Sequence, residues 1–110
     1  MNKLIIIGNL THDPDLRLTN NNIPVCSFSV AVNRQRRVEG QPDVDYFRVT
    51  TWRNIAESCY AYLKKGRKVA CTGRVCLHTY ERDGRTYASL EMEADEVEFV
   101  SPKPAAEAEE

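Results

Sequence analysis

A chain of 110 residues, 42% hydrophobic and 28% charged, has room for one domain around a single modest core, so no second domain is sought within it and oligomerisation is a natural source of added stability. The formal net charge of −1 conceals a division: residues 1–90 carry fourteen Lys/Arg against eight Asp/Glu, net +6, and residues 91–110 carry one Lys against eight Asp/Glu, net −7. A basic body suits polyanionic partners, while an acidic end either solvates the chain or competes for the same basic surface.

The first strand candidate, Lys3 to Leu10, is apolar on both faces. Leu4, Ile6 and Leu10 fall on one side and Ile5 and Ile7 on the other. Such a strand is covered either by another chain or by a helix of its own chain. Thr11 to Asp15, with Pro14, reads as a turn, Leu16 to Thr19 as a short strand, and Asn20 to Asn22 before Pro24 as a second turn. Val25 to Asn33 alternates, with Cys26, Phe28, Val30 and Val32 on the apolar face and the small residues Ser27, Ser29 and Ala31 opposite. Arg34 to Val44 has no periodicity and holds Arg34, Arg36 and Arg37, so a basic loop is expected there.

Asp45 to Arg53 is the most telling strand. Phe47, Val49 and Thr51 can pack a core, whereas Tyr46, Arg48, Thr50 and Trp52 present two aromatic rings and a guanidinium outward. Stacking surfaces interleaved with positive charge suit an unpaired nucleic-acid strand, and a cross-strand aromatic cluster is the alternative. A helix is expected from Asn54, with Glu57 completing a capping box, Ile55, Cys59, Tyr62 and Leu63 as its buried stripe, and Lys64, Lys65 and Gly66 closing it.

Lys68 to Glu81 and Thr86 to Val100 are joined across Asp83-Gly84, a type I′ hairpin signal. The register it sets pairs Arg82 with Arg85, Tyr80 with Tyr87, Leu77 with Leu90 and Val75 with Met92. Tyr80 and Tyr87 then share the outer face near the tip, with Arg82 and Arg85 beyond, and the two leucines fall on the inner face. Gly73 marks a bulge or a barrel corner. Residues 101–110 form a short acidic, disordered end.

Cys26, Cys59, Cys71 and Cys76 lack CxxC spacing, and no apolar signal segment precedes the first strand. A reduced cytoplasmic protein with no metal, cofactor or membrane association is expected. The elements together predict an all-β chain: an OB-fold, a five-stranded Greek-key barrel with one α-helix between the third and fourth long strands, spanning residues 1–100. His12 and His78 stand alone, and no nucleophile, base or phosphate-cradling glycine loop is recognisable, so no enzyme is expected.

Five blocks in order carry a resemblance: Lys3-Leu-Ile-Ile-Ile-Gly-Asn-Leu10, Asp13-Pro-Asp-Leu-Arg17, Val30-Ala-Val-Asn33, Phe47-Arg-Val-Thr-Thr-Trp52 and Tyr62-Leu-Lys-Lys-Gly66. The chain resembles, over residues 1 to about 100, the bacterial single-stranded DNA-binding proteins of the replication machinery. The resemblance implies an OB-fold and a homotetramer whose first strands pair between subunits, with Lys3, Leu4, Ile5, Ile6, Ile7 and Phe47 as its interface set. It also implies sequence-independent binding of single-stranded DNA in replication, recombination and repair. Trp52 matches a stacking position, Tyr46 and Tyr80 match positions where many members have Trp, and Arg48, Arg17, Lys64 and Lys65 match basic positions. Two departures stand out. The 34–44 loop carries no stacking aromatic, so Arg34, Arg36 and Arg37 are expected to bind nucleic acid in its place through guanidinium stacking and phosphate contact; the Gly/Pro/Gln-rich tail ending in Asp-Asp-Asp-Ile-Pro-Phe is absent, which leaves replication and repair enzymes as possible partners with recruitment through that tip in question. Two other readings remain open from residues alone: an OB-type interaction module of a replication or restart complex with little DNA affinity, and single-stranded RNA binding.

Overall fold

The structure, a computed structural model, describes residues 1–100. Its elements in chain order are β1 (Leu4–Leu10), β2 (Asp15–Leu18), β3 (Pro24–Asn33), β4 (Val44–Trp52), α1 (Arg53–Tyr62), β5 (Lys68–Arg82) and β6 (Arg85–Phe99). The strands hydrogen-bond in the order β1-β5-β6-β4-β3-β2, and β1 also pairs with β3, which closes a ring of five strands. Within that ring, α1 falls between the third and fourth strands. This is the OB architecture expected from the sequence. The acidic end at 101–110 lies outside the described residues.

Two features make the ring close. β3 gives one edge to β4, from Val25↔Trp52 to Asn33↔Val44, and divides the other, with Pro24 to Ser27 pairing β2 and Val30 and Ala31 pairing β1. At the β1–β3 seam, a Cβ on Gly8 would lie 2.2 Å from the Ala31 carbonyl oxygen, so only glycine allows the approach. On the opposite side, Gly73 sits at the β5–β6 register shift after Thr72, where a Cβ would lie 2.0 Å from the Glu93 carbonyl oxygen. The bulge expected at Gly73 is present and bends the long hairpin.

Inward-facing alternation fills the barrel. Ile6 and Leu10 of β1, Cys26, Phe28 and Val30 of β3, Val49 of β4, Val69 and Cys71 of β5 and Met92 and Ala94 of β6 are buried in one cluster with Ala56, Cys59 and Leu63 at α1. Buried Thr51 donates its hydroxyl to the Cys26 carbonyl oxygen at 2.9 Å, which satisfies a polar group that the strand period forces inward.

Four expectations are corrected. The helix begins one residue early, at Arg53, with Trp52 at its N-cap and no side-chain capping bond, so the Asn54/Glu57 box is not formed. Arg53 turns the chain from strand to helix with φ 58°, and the corner replaces the cap. The helix ends at Tyr62, and Leu63 caps it with a backbone bond to Cys59; Gly66, with φ 89°, serves the following turn, where its N–H bonds the Leu10 carbonyl. The buried stripe is Ala56, Cys59 and Leu63, with Ile55 half-buried and Tyr62 exposed. Finally, the hairpin register is as expected at every pair, but Leu77 and Leu90 are each 66% exposed. They keep the parity of the inner face, yet the hairpin has by then left the barrel: every residue from Leu77 to Leu90 is exposed.

Candidate nucleic-acid interface

On β4 the period of two sends Val49 and Thr51 into the core, so Tyr46, Arg48, Thr50 and Trp52 share the outside. Tyr46 is 71% exposed and Trp52 41%. Six residues of strand separate them, about 20 Å at 3.3–3.4 Å per residue. At the Trp52 end of this face, short of Tyr46, lies a groove of about 500 Å³. Arg48, Thr50 and Trp52 line it with Arg17, Leu18 and Thr19 from β2 and its turn, Val25 and Ser27 from β3, Cys76 and His78 from β5, and Glu91, Met92 and Glu93 from β6.

The hairpin arm extends the same face. In β5–β6, Cys76 pairs with Glu91, His78 with Ser89, Tyr80 with Tyr87 and Arg82 with Arg85, which places all of these on the groove side. The Tyr80 and Tyr87 rings stack at 5.5 Å between centroids and 19° between planes, and both are exposed. Asp83 and Gly84 hold positive φ, 53° and 77°, as the two-residue turn requires. The arm therefore lengthens the aromatic and basic platform by about four residue pairs, on the order of 13 Å.

The expected basic residues are distributed unevenly. Arg48 and Arg17 reach the groove; Arg17 keeps an exposed contact with Asp15 at 3.6 Å. Arg82 and Arg85 sit at the arm tip, and Arg36 and Arg37 lie exposed in the β3–β4 loop. Lys64 and Lys65 follow the helix and do not line the groove; the Lys65 amide donates to Asp13 Oδ1 at 2.9 Å. Arg34 is held by Asp45, with Nη2 to Oδ1 at 2.8 Å. That ion pair holds the Asp45 carboxyl below the usual carboxylate range and raises Arg34, chiefly through the hydrogen bonds between them. Of the residues expected at an interface between copies, Ile6 is buried and Leu4 and Phe47 pack against the core, whereas Lys3, Ile5 and Ile7 face outward.

Carboxylates in the groove were missed. Glu93 accepts from Arg74 Nη2 at 2.6 Å, and Glu91 Oε2 lies 3.3 Å from His78 Nδ1, so each is matched to a cationic or protonatable partner. Carrying the Asp83-Gly84 register two and four pairs beyond His78↔Ser89 would have placed both on this face. A second concavity, about 340 Å³ between α1 and β6, contains Ile55, Val97 and Phe99 with Asp95 and Glu96. Its charge opposes a polyanion. Among the described residues no group of three or more His, Cys, Asp or Glu side chains is gathered to hold a metal ion, and no helix is long and apolar enough to cross a membrane.

Comparison with known proteins agrees with this geometry. Residues 1–100 match the model of the single-strand binding protein family. The chain is 42% identical over 105 residues to the single-stranded DNA-binding protein of Caldanaerobacter subterraneus subsp. tengcongensis, covering 94% of this chain and 70% of that one. It is 38% identical to the single-stranded DNA-binding protein of Oceanobacillus iheyensis and 39% identical to that of Bacillus cereus, covering 94% of this chain and 65% and 62% of theirs. The chain thus spans about two thirds of the length of these relatives.

Proposed function

Since the chain belongs to the single-strand binding protein family, we propose that it binds single-stranded DNA irrespective of sequence and protects it, as a non-catalytic protein of replication, recombination and repair. The observation that carries this reading is the groove lined by Trp52, Arg48 and Arg17, on the strand face that also bears the exposed Tyr46, with the exposed and stacked Tyr80 and Tyr87 farther along the β5–β6 arm. Every base has a π-face, so such a platform holds any sequence, and each stacked base contributes about 1–3 kcal/mol. Arg17 and Arg48, which line the groove, and Arg82 and Arg85, exposed near the arm tip, supply the cations that follow the backbone in this reading. The protein works in the cytoplasm, where single-stranded intermediates of replication arise.

The proposed assembly is a homotetramer. Its support is β1, whose Ile5 and Ile7 are 63% and 53% exposed and whose Leu4 to Gly8 edge pairs with no strand on the β3 side. An apolar outer face beside an open strand edge is covered when first strands of two copies pair.

Titration with oligo-dT tests the reading: Trp52 fluorescence should fall as the complex forms, and light scattering should give four subunits. Retained fluorescence with no mobility shift at low salt would overturn it, and equal affinity for oligo-rU would broaden the ligand to RNA.

A further inference from the structure

Arg34 stands where β3 gives way to the loop that carries Arg36 and Arg37. Its backbone N–H donates to the Asp43 carbonyl at 2.8 Å, one step beyond the last ladder pair, Asn33↔Val44. Its side chain then reaches back onto β4. Nη2 donates to Asp45 Oδ1 at 2.8 Å, Nε lies 3.2 and 3.1 Å from Asp45 Oδ1 and Oδ2, and Nη1 meets Gln41 Oε1 at 3.5 Å. The loop is thus closed twice at its base, once by backbone and once by a guanidinium fork.

A guanidinium engaged in this way is poorly placed to bind phosphate. Moving it to a phosphate would leave the Asp45 carboxylate unpaired beside an incoming polyanion, a like-charge contact. Arg36 and Arg37, by contrast, have no ion pair with the described residues. Asp45 immediately precedes Tyr46 on β4, so the fork ties the loop to the end of the strand that carries this exposed ring, on the strand face opposite to it. A loop ordered before binding does not have to lose its freedom when DNA arrives.

Resting on the reading that this protein binds single-stranded DNA, we propose that Arg34 is a positioning residue: its fork on Asp45 holds the 34–43 loop at the Tyr46 end of β4, so that Arg36 and Arg37 meet DNA from an ordered loop, and Arg34 itself contacts no phosphate. The fork suits arginine, whose paired donors match a carboxylate; a lysine offers only a point charge.

Asp45→Asn separates the alternatives by sign. Were Arg34 a phosphate contact, this variant would free its charge, remove a negative one and bind oligo-dT more tightly. As a positioning pair, it should bind more weakly, by up to about fivefold, because an exposed ion pair is a modest constraint. Arg34→Ala should behave alike, and the exchanged pair Arg34→Asp/Asp45→Arg should restore affinity, a rescue that neither single charge change can mimic. In the DNA-free protein, both single variants should be cleaved faster by trypsin after Arg36 and Arg37, and the exchanged pair should regain protection at both bonds. Tighter or unchanged binding of Asp45→Asn, or an exchanged pair that fails to recover, would overturn the proposal. If the wild-type chain does not bind oligo-dT, the DNA reading fails, and trypsin cleavage still decides whether the pair holds the loop.

Discussion

At the scale of single residues, the outer face of β4 was legible because one residue's parity fixes the next. Once Val49 and Thr51 are inside, Trp52 must be outside. Trp52→Ala should weaken binding of oligo-dT by about 1–3 kcal/mol and leave the thermal midpoint close to wild type; a large fall in the midpoint would make the ring a core residue. The thiols follow a different rule. Burial pushes Cys26 to about 11 and Cys59 and Cys71 to about 12, from an ordinary 9.0. Unfolded thiols ionise first as pH rises, so the stabilisation these groups contribute is complete below pH 9 and is lost between about 9 and 12. Urea midpoints measured from pH 7 to 10.5 should therefore decline above 9, and less steeply in Cys59→Ala. Arg34 was only half legible: composition shows a basic loop, but which arginine is tied down depends on a carboxylate eleven residues away.

Among elements, the hairpin was read to the residue, because Asp83-Gly84 fixes the register and the register propagates along both strands. Its exposure was not read. Alternation tells which face a side chain shares, not how far the barrel extends beneath it, so Leu77 and Leu90 have inner parity without a core. The helix was misplaced for a related reason: the corner at Arg53 uses a left-handed residue that no local motif announces, and the stripe keeps Cys59 and Leu63 while Ala56 takes the place expected of Ile55 and Tyr62. Because the arm lies outside the core, Tyr80→Ala/Tyr87→Ala should lower DNA affinity by about 1–3 kcal/mol for each base no longer stacked while the unfolding midpoint moves little. Oligo-dT lengths that no longer distinguish the variant from wild type would show that the strand does not reach the arm.

Over the whole molecule, charge and topology act together. The net +6 of residues 1–90 favours a polyanion, so binding should weaken steeply with salt. Arg36→Ala/Arg37→Ala should flatten the plot of log K against log salt by about 1.4 if both meet phosphates, at about 0.7 for each one neutralised; an unaltered slope would leave both arginines merely solvated. The ring itself is unevenly fastened. β5 holds β1 along six residue pairs, from Leu4↔Gly73 to Asn9↔Lys68, but β3 holds it by only two, Asn9↔Ala31 and Leu10↔Val30. A fluctuation that separates those two pairs breaks the circle without disturbing the hairpin. In deuterium exchange of the isolated subunit, the amides of this seam should therefore trade their protons early, well before those of Val69 and Cys71 deep in the β5–β6 sheet. Gly8, which lets β1 lie so close to β3, would then mark the place where the barrel breathes.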